Sequence, residues 1–307
     1  MTDIVAALDC GSNSTRLLVA GGANETLRRV TRITRLSQGV DATGTLTNEA
    51  LDRSLDVLSE YRTMLDDFGV ERGLLVATSA VRDATNGGAF LDEARRRTGV
   101  DARILSGQEE AAFSYAGATT GLDPDPRATM IVDVGGGSTE LAVMVDGVLV
   151  SYSMQLGCVR VTERALAKGV VDEKHDRAAR AMIGEELDRA WTAVPIFASL
   201  VGNVRLVGLA GSVSTLAQLE AGSAEYDRGD VHHRLLTRES VNEWRDRLSS
   251  ESPETRLARP GMVRGREDVL HAGLYVLSAV MERLGVAELL SSENDILDGI
   301  TASLLDR

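Results

Sequence analysis

Two short segments of the sequence join an aspartate at the end of an apolar run to a turn of glycine and serine. The first is DCGSNST, residues 9–15, and the second is DVGGGSTE, residues 133–140. Glycine lets a backbone approach an anion closely and point successive N–H groups at it, and a carboxylate can hold a cation nearby. Either turn alone is better explained as an ordinary hairpin turn. Because the two occupy equivalent places in a repeated pattern, together they favour phosphate binding.

Three further segments carry residue types that suit phosphate chemistry. Gly211 and Ser212 follow a buried strand and open a helix, where N–H groups favour anions, although Ser212 could equally be a simple N-cap. Glu109 and Glu110 begin another helix. Acidic residues suit a first turn, but one of the two could instead take a proton from water. Arg82 follows an apolar strand, and its guanidinium could bind phosphate or form a surface ion pair.

Composition limits the kinds of partner. The 307 residues are enough for two domains, and 33 basic against 46 acidic residues give a net charge of −13. General nucleic-acid binders show the opposite balance of charge. An anionic substrate must therefore be held by a local binding site and not by the overall charge of the protein. Cys10 and Cys158 are too few for a disulfide framework and are expected to be reduced. We find no leader and no membrane-length apolar run, which predicts a cytoplasmic protein without membrane partners.

One segment runs against this acidic balance. Arg256, Arg259, Arg264 and Arg266 fall within eleven residues. They could line a solvated loop or form a basic track for an extended polyanion.

The hydrophobic pattern predicts the same arrangement twice. An apolar hairpin at 3–8 and 15–20 precedes helices and buried strands, and the order restarts at 129–134 and 139–145. Beyond about residue 212 the pattern predicts only helices. Two prolines mark a linker at 121–126. The predicted domains are therefore 1–121 and 122–292, with a final helix over 293–307 that could pack back on the first.

Eight motifs then resemble one known family. They occur in order between residues 4 and 305: DCGSNSTRLLV, ATSAVRDA, SGQEEAAFSYAG, IVDVGGGSTELAV, LGCVRVTE, LAGSVSTLA, RGREDVLHAGLYVL and SENDILDGI. This series closely resembles the Ppx/GppA phosphatase family of the actin-like superfamily. The resemblance implies an α/β, actin-like (ribonuclease H-like) fold, duplicated in two lobes with a cleft between them. Cys10 replaces the usual aliphatic residue and is expected to pack without a catalytic role.

The resemblance also implies roles for individual residues. Glu110 is the base that activates water, and Glu140 positions water and metal. Asp9 and Asp133 lie close to Mg²⁺ (or Mn²⁺), which suits hard oxygen ligands. The residues expected to bind phosphate, with the third glycine site included, are Gly11, Ser12, Asn13, Arg82, Gly135, Gly136, Gly137, Ser138, Gly211 and Ser212.

The predicted function is Mg²⁺-dependent exopolyphosphatase. Longer family members continue into a C-terminal helical domain beyond the point where this sequence ends, so we expect short chains to be preferred, unless a homodimer extends the basic track. The alternative is guanosine pentaphosphate (pppGpp) phosphohydrolase. More distant are an actin-like ATP-dependent kinase, which the Glu109–Glu110 pair disfavours, and a non-catalytic polyphosphate or (p)ppGpp sensor, which the presence of Glu110 and Glu140 disfavours.

Overall fold

The computed structural model describes residues 3–22, 25–166 and 169–306, and the chain divides into two units. The first unit comprises Met1–Gly117 together with Asp295–Arg307, and the second comprises Ala118–Asn294. The chain therefore returns to the first unit for its last helix. The segment 121–126, which the prolines predicted as a linker, lies inside the second unit.

A mixed five-stranded sheet forms the centre of the first unit. Its strands are β1 (Val5–Cys10), β2 (Ser14–Gly21), β3 (Glu25–Ile33), β4 (Arg72–Ala77) and β5 (Asp101–Ile104). They lie in the order β3-β2-β1-β4-β5. β1 to β3 are antiparallel neighbours, and β4 and β5 run parallel to β1. All six residues of β1 are buried, because helices cover both faces of the sheet, and this explains its continuous apolar sequence.

Four helices connect these strands, and a fifth follows β5. They are α1 (Val40–Thr43), α2 (Asn48–Asp67), α3 (Ser79–Asp83), α4 (Gly87–Thr98) and α5 (Gly107–Thr119). α2 begins where the sequence predicted, because the Thr47 hydroxyl accepts a hydrogen bond from the N–H of Ala50. It ends just before Gly69, which has a φ of 65°.

The second unit repeats this sheet with one strand added. Its strands are β6 (Ala128–Val134), β7 (Thr139–Val145), β8 (Val148–Met154), β9 (Val204–Leu209), β10 (Leu235–Thr237) and β11 (Glu288–Ser291). Starting from the β8 edge, the order is β8-β7-β6-β9-β11-β10. Strands β6 to β8 are antiparallel neighbours, and β9 and β11 run parallel to β6. The added strand is β10, which pairs antiparallel with β11 at the edge. One strand order in two units confirms the duplicated, actin-like α/β fold.

The remaining helices complete both units. They are α6 (Cys158–Arg164), α7 (Glu173–Ala193), α8 (Ile196–Ser199), α9 (Ala210–Ala221), α10 (Arg228–Val231), α11 (Arg238–Ser249), α12 (Pro253–Leu257), α13 (Leu270–Arg283) and α14 (Ile296–Leu305). α13 is buried along nearly its whole length in the core of the second unit. α14 belongs to the first unit, where Ile296, Leu297 and Ile300 pack against Ala7 of β1 and Leu18 of β2.

One prediction about local structure was wrong, and one alternative is excluded. The region after residue 212 was expected to be all helical, yet it contains β10 and β11. These strands have three and four residues, which is too short to show an alternating pattern. Ser212 is not an N-cap either, because α9 begins at Ala210 and its N-cap is Leu209. Ala210 adopts a φ of 63°, so the turn into the helix comes earlier than the glycine suggested.

Candidate active site

The turn between β1 and β2 is closed by one backbone hydrogen bond, from the N–H of Gly11 to the carbonyl of Ser14 at 3.0 Å. The carbonyls of Ser12 and Asn13 are also bound, since they accept hydrogen bonds from N–H groups just after β3. Those donors are Thr34, Arg35 and Ser37. Among the described residues, no hydrogen bond uses the N–H of Ser12 or of Asn13. This turn therefore has its acceptors bound and two donors available for an anion.

The turn between β6 and β7 has the same closing bond, from the N–H of Gly135 to the carbonyl of Ser138 at 3.0 Å. Its other carbonyls are bound by the start of α6. Gly135 accepts from the N–H of Cys158, Gly136 from the N–H groups of Val159 and Arg160, and Gly137 from Nε of Arg160. The N–H groups of Gly136 and Gly137 take part in no hydrogen bond within the described ranges. The second turn thus offers donors in the same way as the first.

Asp9 lies opposite Arg16 in the β1–β2 ladder and is only 3% exposed. Arg16 donates twice to its Oδ2, from Nε at 3.0 Å and from Nη2 at 2.6 Å. Burial raises the pKa of Asp9 above its usual value, and the Arg16 guanidinium opposes that rise. Oδ1 of Asp9 and both side-chain polar atoms of Asn13 are buried without a partner among the described residues. Such atoms cost about 1–3 kcal/mol each unless a ligand or water satisfies them.

The second hairpin places two carboxylates opposite each other. Asp133 pairs with Glu140 in the β6–β7 ladder. Both are buried, and Glu140 is 1% exposed. The hydroxyl of Ser153 donates to Oε1 of Glu140 at 2.7 Å. Directly opposed like charges repel, so this pair of oxygen donors suits a bound cation.

Glu109 and Glu110 have different environments at the start of α5. Glu109 accepts from both the N–H and the hydroxyl of Ser106, and its own N–H donates back to that hydroxyl. This reciprocal pattern is a capping box. The hydrogen bonds from Ser106, and then the nearby Arg103, hold the pKa of Glu109 below its usual value. Glu109 therefore fixes the helix start and points away from the interior.

Glu110 turns inward and is buried. Its Oε2 lies 3.4 Å from Nη1 of Arg82, which also donates to the carbonyl of Leu105 at 2.7 Å. Arg82 lies in α3, the short helix that follows β4. The first unit thus holds the predicted base beside the predicted phosphate-binding arginine.

The third glycine site is shaped by Arg266. A Cβ atom built on Gly211 would overlap the Arg266 guanidinium, and one built on Gly273 would overlap the hydroxyl of Ser212. Ser212 is itself buried, at 1% exposure. The Arg266 guanidinium thus occupies the space that a side chain at position 211 would take.

The structure corrects the predicted basic track. Arg256 is fully buried and donates to the carbonyls of Leu248, Glu267 and Gly169. Its guanidinium thus binds three separate chain segments together. Arg259 donates to Glu251 from two nitrogens and stacks over the ring of Trp244. Arg264 remains exposed, so the segment is mainly structural.

Sequence reasoning missed two residues beside Asp9. Arg16 could have been found from the sequence. If Gly11 and Ser14 close the turn, the pairing of residues along the two strands places Arg16 opposite Asp9. No signal existed for Asp295, which accepts a hydrogen bond from Nη1 of Arg16 across 279 positions of sequence. The other missed partner, Arg29, bonds Asp298 and lies 3.5 Å from Asp295.

The predicted metal ligands fit Mg²⁺ in kind. Oδ1 of Asp9 has no partner in the described part of the chain, and the Asp133–Glu140 pair supplies hard oxygen atoms. No group of three His, Cys, Asp or Glu side chains in the described residues forms a ready-made metal site. Mg²⁺ keeps several waters and takes further ligands from substrate phosphates, so it does not need such a cage.

Among the helices of the described residues, none is both long and apolar enough to cross a membrane.

Comparisons with known proteins show which family and which structures the chain resembles. The model of the Ppx/GppA phosphatase family matches residues 18–307. Exopolyphosphatase 2 of Mycobacterium tuberculosis is 37% identical over 98% of both chains. A crystal structure described as an exopolyphosphatase-like protein superposes with a TM-score of 0.92 at 33% identity, covering 99% of each chain. The Aquifex aeolicus family member superposes with a TM-score of 0.80 at 28% identity, over 99% of this chain and 98% of that one.

Proposed function

Because the chain belongs to the Ppx/GppA phosphatase family, we propose that it is an exopolyphosphatase, which hydrolyses the terminal phosphoric anhydride bond of inorganic polyphosphate. One observation carries the proposal. Both glycine turns have their carbonyls bound to other parts of their own unit, while the N–H groups of Ser12, Asn13, Gly136 and Gly137 have no acceptor in the described ranges. Rigid donors of this kind stabilise phosphate charge at little reorganisation cost.

The residues divide the work of the reaction. Glu110 accepts a proton from the attacking water as the water oxygen bonds to the terminal phosphorus. The bond between that phosphorus and the bridging oxygen breaks, and the shortened chain leaves with the electron pair. Arg82 and the N–H groups of the two turns offset the charge on the phosphate oxygens. Phosphoryl transfer depends mainly on positioning and charge stabilisation, so this set of groups is sufficient.

Mg²⁺, or Mn²⁺, would be held by Asp9, Asp133 and Glu140. When bound, such an ion neutralises phosphate charge and polarises the phosphorus–oxygen bonds. The support for this assignment is the chemistry of these oxygen donors, together with Oδ1 of Asp9, which has no partner among the residues that the structure describes. The hydrogen bond from Ser153 to Glu140 fixes one oxygen and so orients the other.

Short chains are the expected substrates. A long polyphosphate needs an extended basic surface, yet Arg256 is buried and Arg259 is bound to Glu251. Little of the arginine segment therefore remains to bind distant phosphates. Guanosine pentaphosphate carries the same terminal anhydride and is the alternative substrate that the family allows.

The test gives the purified protein, with Mg²⁺, short polyphosphate, long polyphosphate and guanosine pentaphosphate in parallel, and measures released phosphate. We expect the highest kcat/KM on short polyphosphate. A higher value on guanosine pentaphosphate would reassign the substrate, and higher efficiency on very long chains would contradict the length preference. Binding of all three without turnover would indicate a non-catalytic sensor, and transfer of phosphate from ATP to a sugar would indicate a kinase.

A further inference from the structure

A buried chain of alternating charges links Asp9 to the start of α14. It runs from Asp9 through Arg16 to Asp295, and from Asp295 through Arg29 to Asp298. Three carboxylates and two guanidinium groups leave a formal charge of 2 − 3 = −1. The buried carboxylate oxygen that lacks a partner in this network, among the described residues, is Oδ1 of Asp9.

Asp295 changes how Arg16 can bind Asp9. An arginine beside a single carboxylate prefers a two-pronged pairing in which each oxygen accepts one N–H. Here Nη1 of Arg16 instead donates to Oδ2 of Asp295 at 2.5 Å, and both bonds to Asp9 fall on its Oδ2. Because Nη1 is held by Asp295, the guanidinium is fixed in the orientation in which Nε and Nη2 both donate to Oδ2 of Asp9.

Asp295 is itself fixed by the start of α14. Its Oδ1 accepts from the N–H of Leu297 at 2.9 Å, and its own N–H donates to Oδ2 of Asp298 at 2.7 Å. This capping box fixes both the side chain and the backbone N–H of Asp295. A residue that is 7% exposed and bound in this way has little freedom to follow Arg16.

The same helix start is pressed against α5. A Cβ atom on Gly117 of α5 would overlap the carbonyl of Asp295, and one on Gly299 of α14 would overlap the carbonyl of Phe113. The two helices therefore touch backbone to backbone. Because α5 begins with Glu109 and Glu110, Asp295 is held rigidly relative to the predicted base.

We propose that Asp295 is a positioning residue for the proposed site: by holding Nη1 of Arg16, it fixes the guanidinium on Oδ2 of Asp9 and so keeps Oδ1 available for the divalent cation. This inference rests on the proposed function, because it concerns the cation that function requires. Positioning groups of this kind typically change metal affinity by about 10- to 100-fold when they are removed.

The test compares Asp295→Asn with Asp298→Asn. The first substitution keeps the size of the side chain and the acceptor for Leu297 but removes the charge that holds Arg16. Asp298→Asn is the matched control, since Asp298 shares the capping box and bonds Arg29. Direct Mn²⁺ binding is measured by electron paramagnetic resonance, and kcat is measured across Mg²⁺ concentrations.

We expect Asp295→Asn to weaken Mn²⁺ binding by about 10-fold or more, with kcat largely recovered at saturating Mg²⁺. Asp298→Asn should change Mn²⁺ affinity by less than about 3-fold. In the double variant Asp9→Asn/Asp295→Asn the affinity should equal that of Asp9→Asn alone, because Asp295 acts only through Asp9. Equal losses in the two single variants, or additive losses in the double variant, would show that Asp295 only supports the fold.

Should Asp295→Asn fail to fold, Asp295→Ser provides the same test, because serine is also a good N-cap and lacks the charge. Mn²⁺ binding also separates the two proposals. If the wild-type protein bound Mn²⁺ but released no phosphate from any of the three substrates, the proposed function would fail, while the difference between Asp295→Asn and Asp298→Asn would still decide the role of Asp295.

Discussion

The two hairpin turns share a backbone but not a charge pattern. In each, an aspartate ends the first strand, a glycine N–H bonds a serine carbonyl at 3.0 Å, and the aspartate pairs with a residue seven positions later. That residue is Arg16 in the first unit and Glu140 in the second. The first hairpin therefore places an arginine opposite its aspartate, while the second places a glutamate there.

The turns also differ in how their carbonyls are bound. The segment after β3 binds those of the first turn, and the start of α6 binds those of the second. Both solutions leave N–H groups available on the turn. The two units thus share the backbone geometry that suits phosphate, whereas the side chains opposite the aspartates differ in charge.

Removal of divalent cations is the largest expected effect. If the carboxylates of the second hairpin serve a cation, chelation with EDTA should abolish phosphate release, and added Mg²⁺ should restore it. Phosphate release is measured before chelation, after it and after Mg²⁺ is returned. Full turnover after thorough chelation would remove the role assigned to Asp133 and Glu140.

The next effect concerns the proton acceptor. If Asp133 and Glu140 hold a cation, the base must come from elsewhere, and Glu110→Gln should lower kcat by at least about 10²-fold. Substrate binding should persist or tighten, because a negative charge near a polyanion is lost.

Glu109→Gln is the matched control. Glu109 caps α5 and bonds Ser106 and Arg103, so we expect a change in kcat of less than about 3-fold, well below the range for a lost general base. If Glu109→Gln were the damaging change and Glu110→Gln the mild one, the base would have to be reassigned. If neither mattered, hydrolysis by this mechanism would be wrong.

Equivalent substitutions opposite the two aspartates should act differently on stability. Arg16→Gln leaves Asp9 and Asp295 without their shared guanidinium, which should lower the free energy of unfolding by about 3 kcal/mol. Glu140→Gln relieves a like-charge pair and keeps the acceptor for Ser153, so stability should change by less than about 1 kcal/mol, towards greater stability. Urea unfolding of both variants without Mg²⁺ measures the difference. Equal losses would show that the two hairpins do not differ in charge balance.

The smallest effect on turnover is expected at Cys10, where the two turns differ in a buried residue that only packs. Cys10 occupies the position that Val134 has in the second turn. It is fully buried, and burial together with the Asp9 charge raises the pKa of its thiol, so it stays protonated. Cys10→Val should therefore leave kcat within about 2-fold, because a buried thiol packs like a small apolar group. A large loss of turnover would give Cys10 a role that its burial does not suggest.

The sequence was most informative where local pattern decides structure. The two hairpins, the start of α2 at Thr47 and the repeat of a hairpin followed by helices and a buried strand could all be predicted, because apolar alternation, capping residues and glycine act over a few positions. It was least informative for β10 and β11, which are too short to show a period, and for the arginine segment. Four nearby arginines looked like one surface, but burial separated Arg256 from Arg264.

By itself, the sequence determined the family, the repeated architecture and the residue types that could bind phosphate, because these depend on motifs and their order. Only the tertiary structure decided which charges meet. It separated Glu109 from Glu110 by the direction of two neighbouring positions on α5, and it brought Asp295 to Arg16 from the far end of the chain. Electrostatic effects depend on distance and burial in three dimensions, and neither can be read from separation along a sequence.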